Sequence, residues 1–368
     1  VISFMQATTQ YQPIYQFNRG HVVESIHYGA IAVMNAAGEL VAWYGDPSVV
    51  TYMRSSSKPL QALPFIEAGG HQAYHLTLKE IAVMCASHSG TDEHVETVRS
   101  ILAKSGARED DLMCGVHPLS HKPTVEAMQA RGETVSQIRN NCSGKHAGML
   151  AYARLLDPAG PAAPAYLDLE HPVQKHILQT VCEMFNLEPE QVELGVDGCS
   201  APNFAVPLCN AALALARLCD PANLPARRAE ACQTLTTAMM AHPNMVGGPE
   251  SFDTHLMQAF PNWVVCKTGA EGFQVLGIMP GALGPNSPAF GVAFKISDGD
   301  LKSHTRPVED PHGRVRPAVA LEILRQLGLE DAAASARLAE YGPDFPVKNL
   351  RKILVGTAQP SFTLVRPS

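Results

Sequence analysis

The chain has 368 residues, 46% of them hydrophobic, and a formal net charge of −7 at neutral pH. That is enough apolar sequence to bury a large core, as a soluble globular protein requires. The charges form no long single-sign runs, so there is neither a basic stripe for nucleic acid nor a polybasic segment for a lipid surface.

In chain order, the start VISFMQATTQYQP lacks a cationic flank and a long apolar run, and no window approaches the roughly eighteen apolar residues of a membrane span, so neither span nor export signal is expected. HYGAIAVMN, a turn at Asn35 to Gly38, and ELVAWYG predict a hairpin over 22–44. After Pro47, VVTYM is a short strand that delivers the chain to Arg54. KPLQALPFIEAGG predicts a helix, with Pro59 tolerated in its first turn and Gly69-Gly70 as its stop. TLKEIAVMCAS is a buried helix or strand ending at Ser87 to Gly90. Thr91-Asp92 caps the helix DEHVETVRSILAKSG. Another helix begins near Pro123, and NNCSGKHAGMLAYARLL passes from a polar turn into a helix from about His146. A long amphipathic helix is expected over 165–186, and a buried one over 204–219. HPNMVGG at 242–248 reads as a glycine loop or turn. WVVCKTGAEGFQVLGIMP and SPAFGVAFKISDG are strands joined by GALGPNS, and PAVALEILRQLGL is a last amphipathic helix. Strands near both ends with helices between them predict one α+β domain over 1–368, its helical middle, about 90–245, packed on a mainly antiparallel sheet built from both termini.

Nine scattered cysteines, an odd number without tight spacing, favour reduced thiols and a cytoplasmic protein over a disulfide framework. Cys182, Cys209 and Cys219 fall in apolar helical runs. Cys142 and Cys199 do not.

Residues 54–58 read R-S-S-S-K. Helical neighbours three apart share a face, so of the three serines only Ser55 is set to meet Lys58, and Ser56 and Ser57 are helix-start residues. A serine hydroxyl needs a base, and lysine serves only when neutral, a state that burial or a second cation promotes. Lys267, in C-K-T-G-A at the end of an apolar strand, is the candidate second cation; its ordinary reading is a strand-terminal surface lysine. An early S-x-x-K with a late K-T-G suggests the penicillin-recognising and glutaminase-like serine hydrolases. Such enzymes usually carry Ser-x-Asn between the two, and here Ser143-Gly144-Lys145 stands instead, which weakens a β-lactam reading. N-N-C-S-G-K-H and V-D-G-C-S-A-P place Cys142 and Cys199 on separate loops, where two thiolates are either zinc ligands or plain thiols.

Taken together, ESIHYGAIAV, RSSSKPLQ, CASHSG, NNCSGKHAGML, GVDGCSAPNFAVPL, CKTGAEG and FKISDGD resemble, in order, the rhizobial-type or class 3 L-asparaginases, the asparaginase II family. The resemblance implies a glutaminase/serine β-lactamase-like fold and two Ser-Lys pairs, Ser55 with Lys58 and Ser87 with Lys267. It further implies one Zn2+ per chain held by Cys142, Lys145 and Cys199 with water, and Asp197 orienting a ligand or binding the substrate amine, with His146 and Arg54 beside it. The implied reaction is hydrolysis of L-asparagine to L-aspartate and ammonia through an acyl-enzyme, in a homodimer. The alternatives are a related amidohydrolase acting on glutamine or another amide, and a non-catalytic zinc-binding protein of the same fold.

Overall fold

The computed structural model describes residues 10–160, 165–300 and 315–367; the N-terminal stretch examined for an export signal lies outside it as far as residue 9. The main sheet is eight-stranded and antiparallel. Its strands are β1 (Gln12–Arg19), β2 (Val22–Asn35), β3 (Leu40–Tyr44), β7 (Val264–Thr268), β8 (Phe273–Ile278), β9 (Phe290–Ile296), β10 (Phe345–Lys348) and β11 (Leu354–Pro360), in the order β10-β11-β1-β2-β9-β8-β7 with β3 beside β2. Both ends of the chain thus meet in one sheet. β2 is long enough to serve two neighbourhoods: its first half pairs with β1, and its second half pairs with β3 and β9. That second half, Ala30 to Met34, is buried throughout, as its uninterrupted apolar sequence requires of a strand covered on both faces.

A second sheet, in the order β4-β6-β5, joins β4 (Val50–Tyr52), β5 (Glu193–Val196) and β6 (Pro202–Pro207). It was not foreseen, because β6 runs into the apolar stretch 204–219 that reads as one helix. Pro207 divides that run: its fixed φ and missing N–H end the strand and start a helix at Leu208.

The longer helices are α1 (Lys58–Glu67), α2 (Leu78–Met84), α3 (Asp92–Ser105), α4 (Lys122–Ala130), α5 (Ser143–Leu156), α6 (Pro172–Phe185), α7 (Leu208–Cys219), α8 (Ala226–Ala241), α9 (Phe252–Ala259) and α10 (Arg316–Leu327). α2 settles the helix-or-strand alternative, and its start is held by a reciprocal capping box between Thr77 and Glu80. α6 is shorter than 165–186, because Pro172 fits a first turn and the His171 side chain caps it by accepting the Val173 N–H. α5 begins at Ser143 rather than near His146, and HPNMVGG contains a short helix, Pro243–Gly247. Strands β1, β10 and β11 gave no clear sequence signal. Their residues are mostly half-exposed, and the register comes from pairing with distant strands rather than from local turns.

α7 lies on β2, β8 and β9. It comes that close because Gly277 and Gly291 face each other on β8 and β9: a Cβ on Gly291 would overlap the Ala212 carbonyl, and one on Gly277 would overlap the Cys219 sulfur. The helices and the sheet share one contiguous hydrophobic cluster.

Candidate active site

Five separate segments converge where β4 hands over to α1. Arg54 starts a 3-10 turn, Arg54–Ser57, with φ +53, a left-handed conformation uncommon for a residue with a Cβ. Two long-range contacts fix it: its N–H donates to Asn203 Oδ1 at 3.1 Å and its Nε to Asp197 Oδ1 at 2.8 Å. The three serines that follow then separate by role. Ser56 Oγ donates to the Lys267 carbonyl and Ser57 Oγ to the Arg54 carbonyl, which ties both to backbone. Ser55 is half-buried, and its hydroxyl makes no hydrogen bond among the described residues.

Lys58 and Lys267 are buried, 1% and 0% exposed. Lys58 Nζ donates to Ser87 Oγ at 3.0 Å, to the Ala86 carbonyl at 2.5 Å and to the Asn141 carbonyl at 3.4 Å. Lys267 Nζ donates to the same Ser87 Oγ at 3.0 Å and to the Thr268 carbonyl at 2.8 Å. The two lysines therefore meet at Ser87, and no hydrogen bond runs from Lys58 to Ser55 among the described residues. Ser87 is held there by its own N–H, which donates to the Val246 carbonyl. Burial drives the Lys267 ammonium down to about 8, with Lys58 adding to the effect and Asp253 opposing it. A cavity of about 240 Å3 opens beside Ser87 and is bordered also by His88, His121, Asp253, Thr268 and Arg316. Ser55 is not on its wall.

The cysteine loops form the adjoining cluster. The turn between β5 and β6 is closed by Asp197 N–H to the Ala201 carbonyl and Ser200 N–H to the Asp197 carbonyl, which presents Asp197 and Cys199 inward. Cys142, just ahead of α5, and Cys199 are both buried, and Lys145 Nζ donates to Cys199 Sγ at 2.9 Å. Hydrogen bonding with Cys199 pulls the Cys142 thiol well below the usual thiol range, against burial, with Lys58 and Lys145 assisting. Burial works against the Lys145 ammonium, but Cys199 and Cys142 hold it above its ordinary value. Burial likewise disfavours the Asp197 carboxylate, yet Lys145, the Gly198 N–H and Arg54 keep it ionised to lower pH than usual. His146 Nδ1 pairs with the Tyr166 hydroxyl at 2.9 Å, its ring acts on the Cys199 thiol, and its buried Nε2 makes no further hydrogen bond among the described residues.

Two sulfurs and one amine suit zinc by donor type. Among the described residues no three His, Cys, Asp or Glu side chains gather as a metal site, so a three-ligand set here has to include the Lys145 amine. That amine must shed the proton the two thiols now stabilise, so metal uptake would release protons.

Sequence reasoning missed Asp253, Asn203, Asn141 and Tyr166. Asp253 in the first turn of α9 looks like an ordinary helix-start acid, and the other three act through contacts 20 to 149 residues away along the chain. None carries a local signal.

A family profile described as L-asparaginase II matches residues 15–360. The chain belongs to the L-asparaginase II family. As a member it is an amidohydrolase acting on a small amide, a class for which a doubly bonded Ser-Lys centre beside a cavity is suited. No curated protein matches the chain. Among solved structures it is similar to a probable glutaminase from Bacillus subtilis complexed with 6-diazo-5-oxo-L-norleucine, at 11% identity over 82% of this chain and 85% of that one, TM-score 0.37. A second structure described as a Bacillus subtilis probable glutaminase gives 12%, 82% and 89%, TM-score 0.34. No helix among the described residues is long and apolar enough to cross a membrane.

Proposed function

We propose that the protein hydrolyses L-asparagine to L-aspartate and ammonia through a seryl acyl-enzyme. The observation that carries the reading is the Ser87 hydroxyl held between two buried lysines, Lys58 and Lys267, with Ser55 three residues before Lys58 at the start of the same turn. Ser55 Oγ attacks the side-chain amide carbon and its proton passes to Lys58. Ser87 and Lys267 relay a proton to the departing nitrogen, which leaves as ammonia, and water then attacks the Ser55 ester to release aspartate. Asp197, anchored by Arg54, is available to bind the substrate ammonium.

Cys142, Lys145 and Cys199 would hold the zinc ion, with His146 beside them. A zinc ion held there would supply fixed positive charge beside the Ser-Lys residues. Nine cysteines without a disulfide support a reducing compartment such as the cytoplasm. A homodimer completes the proposal, and sedimentation at a single-chain mass would remove that part of it.

A specific observation favours a second assignment within the same chemistry: Ser87, not Ser55, touches both lysines and borders the cavity. In that version Ser87 is the nucleophile. Substrate choice is tested by ammonia release from asparagine and glutamine side by side. Asparagine is expected to be the better substrate by kcat/KM; glutamine turned over equally well or better rejects the asparaginase reading, and release from neither rejects both.

A further inference from the structure

One buried charge beside the lysines has no part in this reaction scheme. Asp253 is 1% exposed, and its carboxylate is caught by donors from two strands. Oδ2 accepts the Thr268 N–H at 2.7 Å; Oδ1 accepts the Thr268 hydroxyl at 2.7 Å, the Gln274 amide at 3.2 Å and the Cys266 thiol at 3.2 Å. All four donors are neutral, so they orient the carboxylate without cancelling its charge. The Lys267 ammonium lies 3.7 Å from Oδ2 while reaching Ser87 at 3.0 Å.

A buried anion with a full set of neutral donors is costly unless a cation needs it. We infer that Asp253 is a positioning residue for the proposed reaction: clamped by Thr268, Gln274 and Cys266, it holds the Lys267 amine on Ser87 and keeps it charged until it gives up a proton. The inference rests on the Ser-Lys reading of the site. The other ionisable groups acting on Lys267 are Lys58 of α1, Cys142 ahead of α5, Cys266 on β7 and Cys85 after α2, and Arg316 of α10 acts on Asp253. None of these is a carboxylate, whereas Asp253 is. Removing its charge leaves burial and Lys58 to disfavour the ammonium, so Lys267 must titrate at lower pH.

The test is an NMR titration of carbon-13-labelled lysine in the full chain, with the Lys267 resonance assigned by its loss in Lys267→Met. In Asp253→Asn the midpoint is expected to fall by about one to three pH units, the usual effect of an opposite charge at this range. The kcat for asparagine should fall with it, with KM little changed. An Asp253→Asn midpoint equal to wild type overturns the inference, since a purely structural carboxylate would lower stability without moving that titration. The midpoint is read without turnover, so an inactive wild-type protein would sink the reaction scheme and leave this test standing. Should Asp253→Asn not fold, Asp253→Ala in formate replaces it, because Asp253 borders the cavity and a small carboxylate can reach the gap. A lowered midpoint that formate raises again, where chloride does not, supports the inference; a wild-type midpoint in both salts overturns it.

Discussion

Ser55, Ser56 and Ser57 show how adjacent identical residues acquire different work. Two of them give their hydroxyls to backbone carbonyls, whereas the Ser55 hydroxyl makes no hydrogen bond among the described residues and the more distant Ser87 hydroxyl lies between two lysines. If Ser55 carries the acyl group, Ser55→Ala abolishes ammonia release with the fold intact by circular dichroism, and peptide mass spectrometry of quenched Ser87→Ala finds any slow adduct on Ser55. An adduct on Ser87 of the wild-type chain would reassign the nucleophile. Cys199 is predicted to matter for metal rather than for turnover steps: Cys199→Ser should bind less zinc than wild type by elemental analysis, and equal metal in both would strike it from the ligand set. The residues that sequence motifs identify here are those with unusual chemistry in a fixed local spacing. Asp253 and Asn203 escaped because an Asp or Asn announces nothing until the fold sets a lysine or a strained backbone beside it.

At the scale of elements, the site depends on how closely α5 approaches the end of α2. Gly144 makes that contact: a Cβ there would overlap the Val83 carbonyl, a backbone atom that cannot swing aside. Gly144→Ala is therefore expected to cost about 1–3 kcal/mol, the usual price of overpacking, and to lower zinc content by displacing Lys145 from Cys199. Thermal melting and metal analysis on one preparation would check it; an unchanged melting point would show that α5 shifts freely. Helices whose caps and prolines sit in the local sequence, α1 and α3, were legible in advance, whereas the α2 segment reads equally as helix or strand. The segment 204–219 was not, because an apolar run fits a buried strand as well as a buried helix, and only pairing with β4 and β5 decides between them.

For the whole molecule, acid stability follows from burying neutral imidazole. His94 is 1% exposed, accepting from the Thr91 hydroxyl and donating from Nε2 to the Asn244 carbonyl, an arrangement that suits the neutral ring. Burial lowers its pKa from 6.5 to about 4, with the Asn244 contact only partly opposing. The unfolded chain therefore binds a proton that the folded chain refuses between those values. Stability contributed by His94 is full above pH 6.5, falls as pH drops toward 4 and levels below it, a loss of about 3 kcal/mol from this group. Denaturant unfolding of wild type and His94→Gln at several pH values should show a shallower acid slope in the variant; identical slopes would refute the assignment. Because stabilities of domains are only about 5–15 kcal/mol, one such ring is a sizeable share.

The sequence by itself determined the antiparallel hairpin at 22–44 and the helices with local caps and prolines, α1 and α3, and it marked Ser55, Lys58, Lys267, Cys142 and Cys199 as candidates, while Ser87 and Lys145 came in with the family resemblance. Spacing along a helix and turn chemistry are local, so they can be read from neighbours. Tertiary structure decided what those residues touch. It turned Lys58 toward Ser87, set Lys145 on Cys199, locked Arg54 with Asp197 and Asn203, and brought Asp253 to Lys267. Each of those contacts joins distant segments across the meeting of sheet and helices, and no local pattern encodes a partner that only folding brings within 4 Å of its target.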